Sequence, residues 1–117
     1  MEHVGFDPDT VLAAAHTGAY NHMKGTHKTG KIYVGDLYER FHLYSVYWDE
    51  DGYTTYVDGN PFFTFKNEEE GPEKWPFDQH FHLILNIAVG GDWGGQQGVD
   101  DSIFPAHMEV DYVRVYQ

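Results

Sequence analysis

The sequence predicts an all-β, antiparallel protein, and three observations support this class. Residues 38–48, 53–57 and 80–89 form runs rich in aromatic and β-branched side chains, which are enriched in strands. Clusters of Gly, Asp, Asn and Pro separate the runs, as turns do between paired strands. No heptad, internal repeat or low-complexity linker interrupts the pattern. We therefore expect a single domain over residues 1–117.

The first half of the chain predicts a β-meander. Residues 11–17 read as a strand that follows the turn Asp7-Pro8-Asp9. A long strand over residues 38–48 reaches the hairpin turn Asp49-Glu50-Asp51-Gly52, and residues 53–57 return. The turn at residues 58–61 then leads into a short strand over residues 62–65.

The second half predicts two further strands and two loops. Residues 66–74 contain Glu68-Glu69-Glu70, which favours a solvated connection or one helical turn, because like charges in a row seldom pack. A long strand is expected over residues 80–89 and a last strand over residues 108–116. Five glycines among residues 90–98 indicate a loop between them.

Charge and composition exclude several partners. Nineteen acidic residues against seven Lys and Arg give a formal net charge of −12, which opposes nucleic acid or anionic membrane as a partner. There are no cysteines, so neither a disulfide scaffold nor a thiolate site is expected. The chain shows no signal peptide and no apolar run long enough to span a membrane.

The opening Met1-Glu2-His3-Val4-Gly5 resembles the end of the catalytic motif Glu-Ile-Asp-Ile-Met-Glu-His-Val-Gly of the laminarinase-like branch of glycoside hydrolase family 16. Further blocks resemble that family in order along the chain: residues 16–22, 41–48, 53–63, 76–79, 81–93 and 110–117. The resemblance implies a partial concanavalin-like jelly-roll β-sandwich, corresponding to the C-terminal half of the family domain. It also implies an extracellular or periplasmic location.

By this resemblance Glu2 is the general acid/base of a retaining hydrolase. Such a reaction needs two carboxyl groups about 5 to 5.5 Å apart, one attacking the anomeric carbon and one protonating the leaving oxygen. The family motif departs from strict strand alternation, and a β-bulge can absorb the difference. The positions of the nucleophile and the intervening Asp have no counterpart in this sequence.

The resemblance also implies binding residues for the substrate. His16 and Asn86 match family positions that hydrogen-bond carboxylates or sugar hydroxyls. Trp48 and Trp93 offer flat apolar faces to a pyranose, with core packing as the alternative for Trp48. Asp111 matches a position that helps to hold a structural calcium, whereas the chemistry itself needs no cofactor.

A partial sandwich leaves apolar faces and strand edges open, so we expect a homo-oligomer or strand-swapped dimer that completes the fold. Three functions remain open: a β-1,3-glucan hydrolase, a non-catalytic glucan-binding module, and an orphan half-domain that only self-associates. Residual hydrolysis would need a second carboxylate, for which Asp7, Asp9 and Asp92 are the nearest in sequence.

Overall fold

Six antiparallel strands form two three-stranded sheets in the computed structural model, which describes residues 1–117. The strands are β1 (Glu2–Val4), β2 (Asp7–Ala15), β3 (Lys28–Tyr33), β4 (Tyr44–Trp48), β5 (Gly52–Val57) and β6 (Asn60–Lys66). The only helical elements are single 3-10 turns at His22–Lys24 and Asp101–Ile103. The all-β antiparallel prediction is thus confirmed. No helix has the length and apolar character needed to cross a bilayer.

Sheet A has the order β1-β2-β3. Strands β2 and β3 pair regularly from Thr10 opposite Tyr33 to Ala15 opposite Lys28. Along β2, the odd-numbered residues Val11, Ala13 and Ala15 are buried and the even-numbered residues between them are more exposed. Alternation along a strand therefore divides sheet A into an inner face and an outer face.

Sheet B is the meander β4-β5-β6, which confirms the predicted central hairpin and its return strand. In the β4–β5 turn, Asp49 Oδ1 accepts hydrogen bonds from the backbone N–H groups of Asp51 and Gly52, at 3.0 and 3.1 Å. The register of β5 against β6 shifts beside Pro61. A proline cannot donate to a ladder, so its place on an edge strand at an irregularity is the expected one.

The core lies between the inner faces of the two sheets. Sheet A contributes small side chains, Ala13 and Ala15, which pack against Phe63 and Phe65 of β6 and against Trp75. A second buried cluster joins Val11, Leu37 and Val57. Rings extend the first cluster: Trp75 stacks on Phe65 at a centroid distance of 5.9 Å, and Phe77 meets Trp75 edge-on at 5.2 Å. The sheets therefore close as a sandwich, as predicted.

Gly30 allows the sheets to approach closely at this core. It sits on β3 opposite Ala13. A β-carbon at Gly30 would lie 2.6 Å from the carbonyl oxygen of Phe62 and 2.7 Å from Cβ of Phe63. A glycine within a strand commonly marks such an approach of two backbones.

Two predicted strands change at their boundaries. The expected strand at residues 11–17 begins earlier, at Asp7, and the expected strand at residues 38–48 begins only at Tyr44. Residues 36–42 instead form a turn held by charged side chains that include Asp36, Arg40 and His42. The loop predicted at residues 66–74 is present, and Lys74 pairs in it with both Glu68 and Glu70.

The strands predicted at residues 80–89 and 108–116 are absent, so that prediction was wrong. Residues Met1–Phe81 and His82–Gln117 form two separate compact units, and the second contains no strand. Outside secondary structure, the backbone hydrogen bonds of the second unit only close local turns, all of them between residues 91 and 103. Alternating apolar residues produce a strand only where a neighbour pairs with their backbone groups, and no segment does so here. The glycine-rich turns at residues 90–98 do form the expected loop.

Candidate functional site

Glu2 lies on the open, outer face of sheet A. Its partner in the ladder is Leu12, while two residues further along β1 the pairing has shifted, so that Val4 lies opposite Asp7. Opposed residues in a ladder share a face. Glu2 therefore shares the outer face with Leu12, away from the core side of Val11. This shift lies downstream of Glu2, whereas the bulge expected from the motif lies upstream of it, so that expectation stays a prediction.

His16 follows directly after β2 and continues the outer-face alternation of Leu12 and Ala14. Its ring stacks on the ring of His27 at 6.1 Å and meets His22 edge-on at 5.4 Å. Within the first unit, the structure thus brings Glu2 and His16 to the same face. Ala14 lies between Leu12 and His16 on this face of β2, and its small side chain does not project above the sheet.

No second carboxylate joins Glu2 in its ladder row. The row runs from Glu2 to Leu12 and on to Lys31 of β3, two strand spacings away. Asp7 and Asp9 share the alternation of Val11, so their side chains belong to the inner side of β2. The paired-carboxylate geometry of retaining hydrolysis is therefore not assembled on this face by β1, β2 and β3.

His3 anchors the short strand that carries Glu2, a role the sequence analysis missed. Its Nε2 shares a 2.9 Å hydrogen bond with the Tyr44 hydroxyl, and its ring lies 5.7 Å from that of Tyr44 and 6.3 Å from that of Tyr38. Burial lowers the pKa of His3, and the nearby His42 lowers it further. Because adjacent strand residues face opposite ways, a functional Glu2 could have indicated an inward anchor at His3.

A charged cluster fixes the segment that leads into β4. The His42 side chain is 1% exposed, and its Nδ1 lies 2.7 Å from Oδ2 of Asp58. Its Nε2 lies 3.2 Å from the Asp36 carbonyl oxygen and 3.3 Å from Asp36 Oδ1, a buried atom without a hydrogen bond of its own. The hydrogen bond to Asp58 raises the pKa of His42. The hydrogen bond from the backbone N–H of Leu43 lowers the pKa of Asp58, and the hydrogen bond with His42 lowers it further.

Trp48 lies on the side of sheet B that faces the core. It stands opposite Tyr53, which belongs to the aromatic core cluster, and its ring meets Phe81 edge-on at 5.9 Å. It does not share the outer face of sheet A with Glu2. Trp48 is nevertheless 47% exposed. Its assignment as a substrate-binding residue, with core packing as the alternative, stays a prediction.

Asn86, Trp93 and Asp111 belong to the second unit. All three are exposed, and Trp93 lies in the glycine-rich loop, where its carbonyl oxygen accepts a hydrogen bond from the Gln96 N–H at 3.3 Å. Their assignment as substrate-binding and calcium-binding residues stays a prediction.

The residues around Asp111 do not by themselves fit a calcium site. Calcium takes six to eight oxygen ligands, several of them carboxylates. No group of three or more His, Asp or Glu side chains is placed to hold a metal ion. The chain's carboxylates therefore do not converge into such a ligand set.

The chain matches the family model described as glycosyl hydrolases family 16 over residues 1–114. It is 52% identical over 122 residues to a β-glucanase from Rhodothermus marinus, an alignment that includes 100% of this chain and 43% of the relative.

Solved structures agree with this family match. The laminarinase from Rhodothermus marinus superposes with a TM-score of 0.85 at 49% identity, covering 88% of this chain and 43% of that chain. A mutant of a non-specific endo-β-1,3(4)-glucanase was co-crystallised with 1,3-β-D-cellotriosyl-glucose. It superposes with a TM-score of 0.83 at 44% identity, covering 88% of this chain and 40% of that chain. The chain thus spans less than half the length of these relatives. Both the sequence match and the structural match show that it belongs to glycosyl hydrolase family 16.

Proposed function

We propose that this chain acts on or binds β-1,3-glucan of the laminarin type, with Glu2 as the acid/base carboxylate. The observation that carries the proposal is the register of β1, which places Glu2 on an open face of sheet A together with His16. The similar proteins that act on β-glucans support the substrate class.

The chemistry divides between two carboxyl groups. In a retaining hydrolase the acid/base group gives its proton to the leaving glycosidic oxygen while a carboxylate forms a bond to the anomeric carbon. The acid/base group then takes a proton from water, which displaces the enzyme from the sugar. Glu2 can perform the proton transfers, and His16 can hydrogen-bond a substrate hydroxyl beside it. The attacking carboxylate is not on this face.

A second candidate function is a glucan-binding module without turnover. The specific observation in its favour is the ladder row of Glu2, which ends in Leu12 and Lys31 and contains no other carboxylate. Loss of a nucleophile removes most of the rate of such enzymes, whereas a binding surface does not depend on it.

Hydrolysis of laminarin and affinity for laminarin, measured on the same protein, separate these functions. Reducing-sugar release is compared among the native chain, Glu2→Gln, and the matched control Glu50→Gln, which changes an exposed carboxylate in the β4–β5 turn. For an active chain we expect a loss of about 10²- to 10⁴-fold in Glu2→Gln alone, the usual contribution of a positioned acid/base.

Three outcomes are decisive. Activity that falls only in Glu2→Gln supports the hydrolase. Laminarin affinity without hydrolysis, retained in both variants, supports the binding module. Absence of both affinity and hydrolysis in the native chain contradicts the proposed function and leaves the orphan half-domain.

We propose three further assignments. We infer self-association as a homo-oligomer or strand-swapped dimer from the exposure of Trp48 on the inner face of sheet B. A structural calcium at Asp111 would need ligands beyond the carboxylates of this chain, and the proposed chemistry does not use it. An extracellular or periplasmic location stays an expectation from the family resemblance.

A further inference from the structure

We propose that His42 is a buried imidazolium cation and forms, with Asp36 and Asp58, a pH-sensitive latch that holds residues 36–42 against the turn between β5 and β6. The proposal goes beyond glucan chemistry and does not depend on it. All of the groups involved belong to the first unit, Met1–Phe81, and the His42 side chain is 1% exposed. The unit therefore encloses a titratable group that the proposed function does not use.

Both ring nitrogens of His42 face groups that accept hydrogen bonds. Nδ1 lies 2.7 Å from Oδ2 of Asp58. Nε2 lies 3.2 Å from the carbonyl oxygen of Asp36 and 3.3 Å from Oδ1 of the same residue. A neutral imidazole carries one N–H group, whereas the imidazolium carries two. Only the charged form can donate to both sides, because a carbonyl oxygen has no proton to give to Nε2.

Asp58 is held as the carboxylate that this cation needs. Its Oδ1 accepts a hydrogen bond from the backbone N–H of Leu43 at 2.8 Å, and Nη2 of Arg40 lies 3.9 Å from its Oδ2. The hydrogen bond from Leu43 is the main cause that lowers the pKa of Asp58. The proton between Asp58 and His42 therefore stays on the ring, since an imidazolium is a weaker acid than a carboxylic acid.

The charges around His42 balance only when its ring is protonated. Asp36 and Asp58 supply two negative charges, and Arg40, which pairs with Asp36, supplies one positive charge. His3 faces the cluster from β1, but burial lowers its pKa, so that it adds no charge at neutral pH. A neutral His42 would leave one negative charge of the cluster uncompensated. The imidazolium brings the cluster to zero.

The latch secures a turn with an unfavourable backbone conformation. Asp58 has a φ of 50°, in the left-handed region that residues other than glycine seldom adopt. Its backbone N–H donates to the carbonyl oxygen of Leu43 at 2.9 Å, so backbone and side chain both bind the segment at His42. Tyr44 follows in this segment, and its hydroxyl shares a hydrogen bond with His3 on β1. Loss of the His42 proton therefore weakens a contact that fixes both the turn and the start of β4.

The direction of the pH effect follows from the extra proton of the closed latch. The hydrogen bond to Asp58 raises the pKa of His42 against the opposing effect of burial. The latch is complete below 6.5, the usual pKa of a histidine, and is lost as pH rises through the folded value. Between these two values, opening releases one proton, so the opening equilibrium rises by up to about tenfold per pH unit.

NMR titration of the His42 ring tests its charge. We expect a midpoint above 6.5, the value of a free histidine. Asp58→Asn should lower this midpoint, whereas Arg40→Gln, at a side chain that is 59% exposed, should raise it by removing an opposing charge. The matched control Glu50→Gln, in the β4–β5 turn, should leave it in place. A native midpoint at or below 6.5, or one that Arg40→Gln does not move, would overturn the proposal.

Hydrogen exchange tests the latch itself. The amides of Leu43 and Asp58 both bond across it, and their protection factors should fall by up to about tenfold per pH unit from pH 6.5 to the His42 midpoint and then level off. Amides of the β2–β3 ladder should show no such step, and the step should vanish in His42→Gln. The same pH dependence in the ladder, or a step that persists in His42→Gln, would contradict the latch. Laminarin affinity and hydrolysis are separate readouts, so failure here leaves the proposed function standing.

Discussion

Replacing Gly30 by alanine should destabilise the sandwich, although alanine is the better strand residue by about 0.5 to 1 kcal/mol. The added methyl would lie 2.6 Å from the backbone oxygen of Phe62 and 2.7 Å from Cβ of Phe63. Neither atom can rotate away, because both are fixed by the backbone of β6. Strands β3 and β6 must therefore move apart, which weakens the packing of Ala13 on the same inner face.

The magnitude follows from the usual cost of overpacking a core, about 1 to 3 kcal/mol per inserted group. With the gain in strand preference subtracted, we expect a net loss of about 1 kcal/mol in the free energy of unfolding. For a unit of this size, that loss lowers the melting temperature by roughly 4 to 8 °C.

Urea unfolding followed by tryptophan fluorescence measures this loss, since Trp75 is 6% exposed and packs in the core beside Phe65. The matched control is Gly5→Ala, where a β-carbon meets nothing within 4 Å and the backbone needs no left-handed conformation. Gly30→Ala as stable as the native chain, or no more destabilised than Gly5→Ala, would refute the close approach of the two sheets.

Two further predictions concern the core and the charged cluster. Phe65→Ala should cost about 3 to 5 kcal/mol in the same assay, because it opens a cavity between Trp75 and Tyr53, whereas Thr64→Ala on the exposed side of the strand should cost under 1 kcal/mol. The raised pKa of His42 means that its stabilisation is present below its usual pKa of 6.5 and is lost as pH rises through the folded value. The lowered pKa of Asp58 means that its contribution is present above 3.8 and is lost as pH falls. Melting temperature should therefore be highest between these limits and should flatten with pH in Asp58→Asn; an unchanged pH profile would exclude the pair as its source.

The fold class was predictable because strand composition and turn chemistry act locally. Residues 11–15 are apolar throughout, so the sequence predicts a strand there, but only the structure shows that Val11, Ala13 and Ala15 form its buried face. The Asp-rich turn at residues 49–52 encodes the hairpin in the same local manner, through Asp49. The hairpin appears in the structure where the sequence predicts it, and the strand predicted at residues 11–17 appears as Asp7–Ala15.

Other elements depend on partners that a local pattern does not reveal. Strand β3 reads Lys-Thr-Gly-Lys-Ile-Tyr, a weak strand sequence, and it forms because each of its residues pairs with β2. The apolar run at residues 80–89 is a strong strand sequence, yet it stays unpaired. Strand propensity is therefore a weaker guide than the presence of a neighbouring ladder.

The candidate site was predictable in part, through resemblance. Glu2 and His16 share one face, as an active surface would require, while Trp48 lies on the core-facing side of the other sheet. Register decides both results, and register is set by bulges and turns that a list of residue types does not contain. The inward anchor His3 was missed for the same reason.

The unequal division of the core between the two sheets predicts opposite kinds of mutational tolerance. In the cluster around Trp75, sheet A meets the core with Ala13 and Ala15, and sheet B meets it with Phe63 and Phe65. In a complete substitution scan, these two positions of sheet A should therefore reject enlargement, whereas these two positions of sheet B should reject reduction. Glu2 and His16 lie on sheet A, whose inner side chains in this cluster are small. The aromatic rings of sheet B, on the opposite side of the sandwich, therefore set the position of the candidate site.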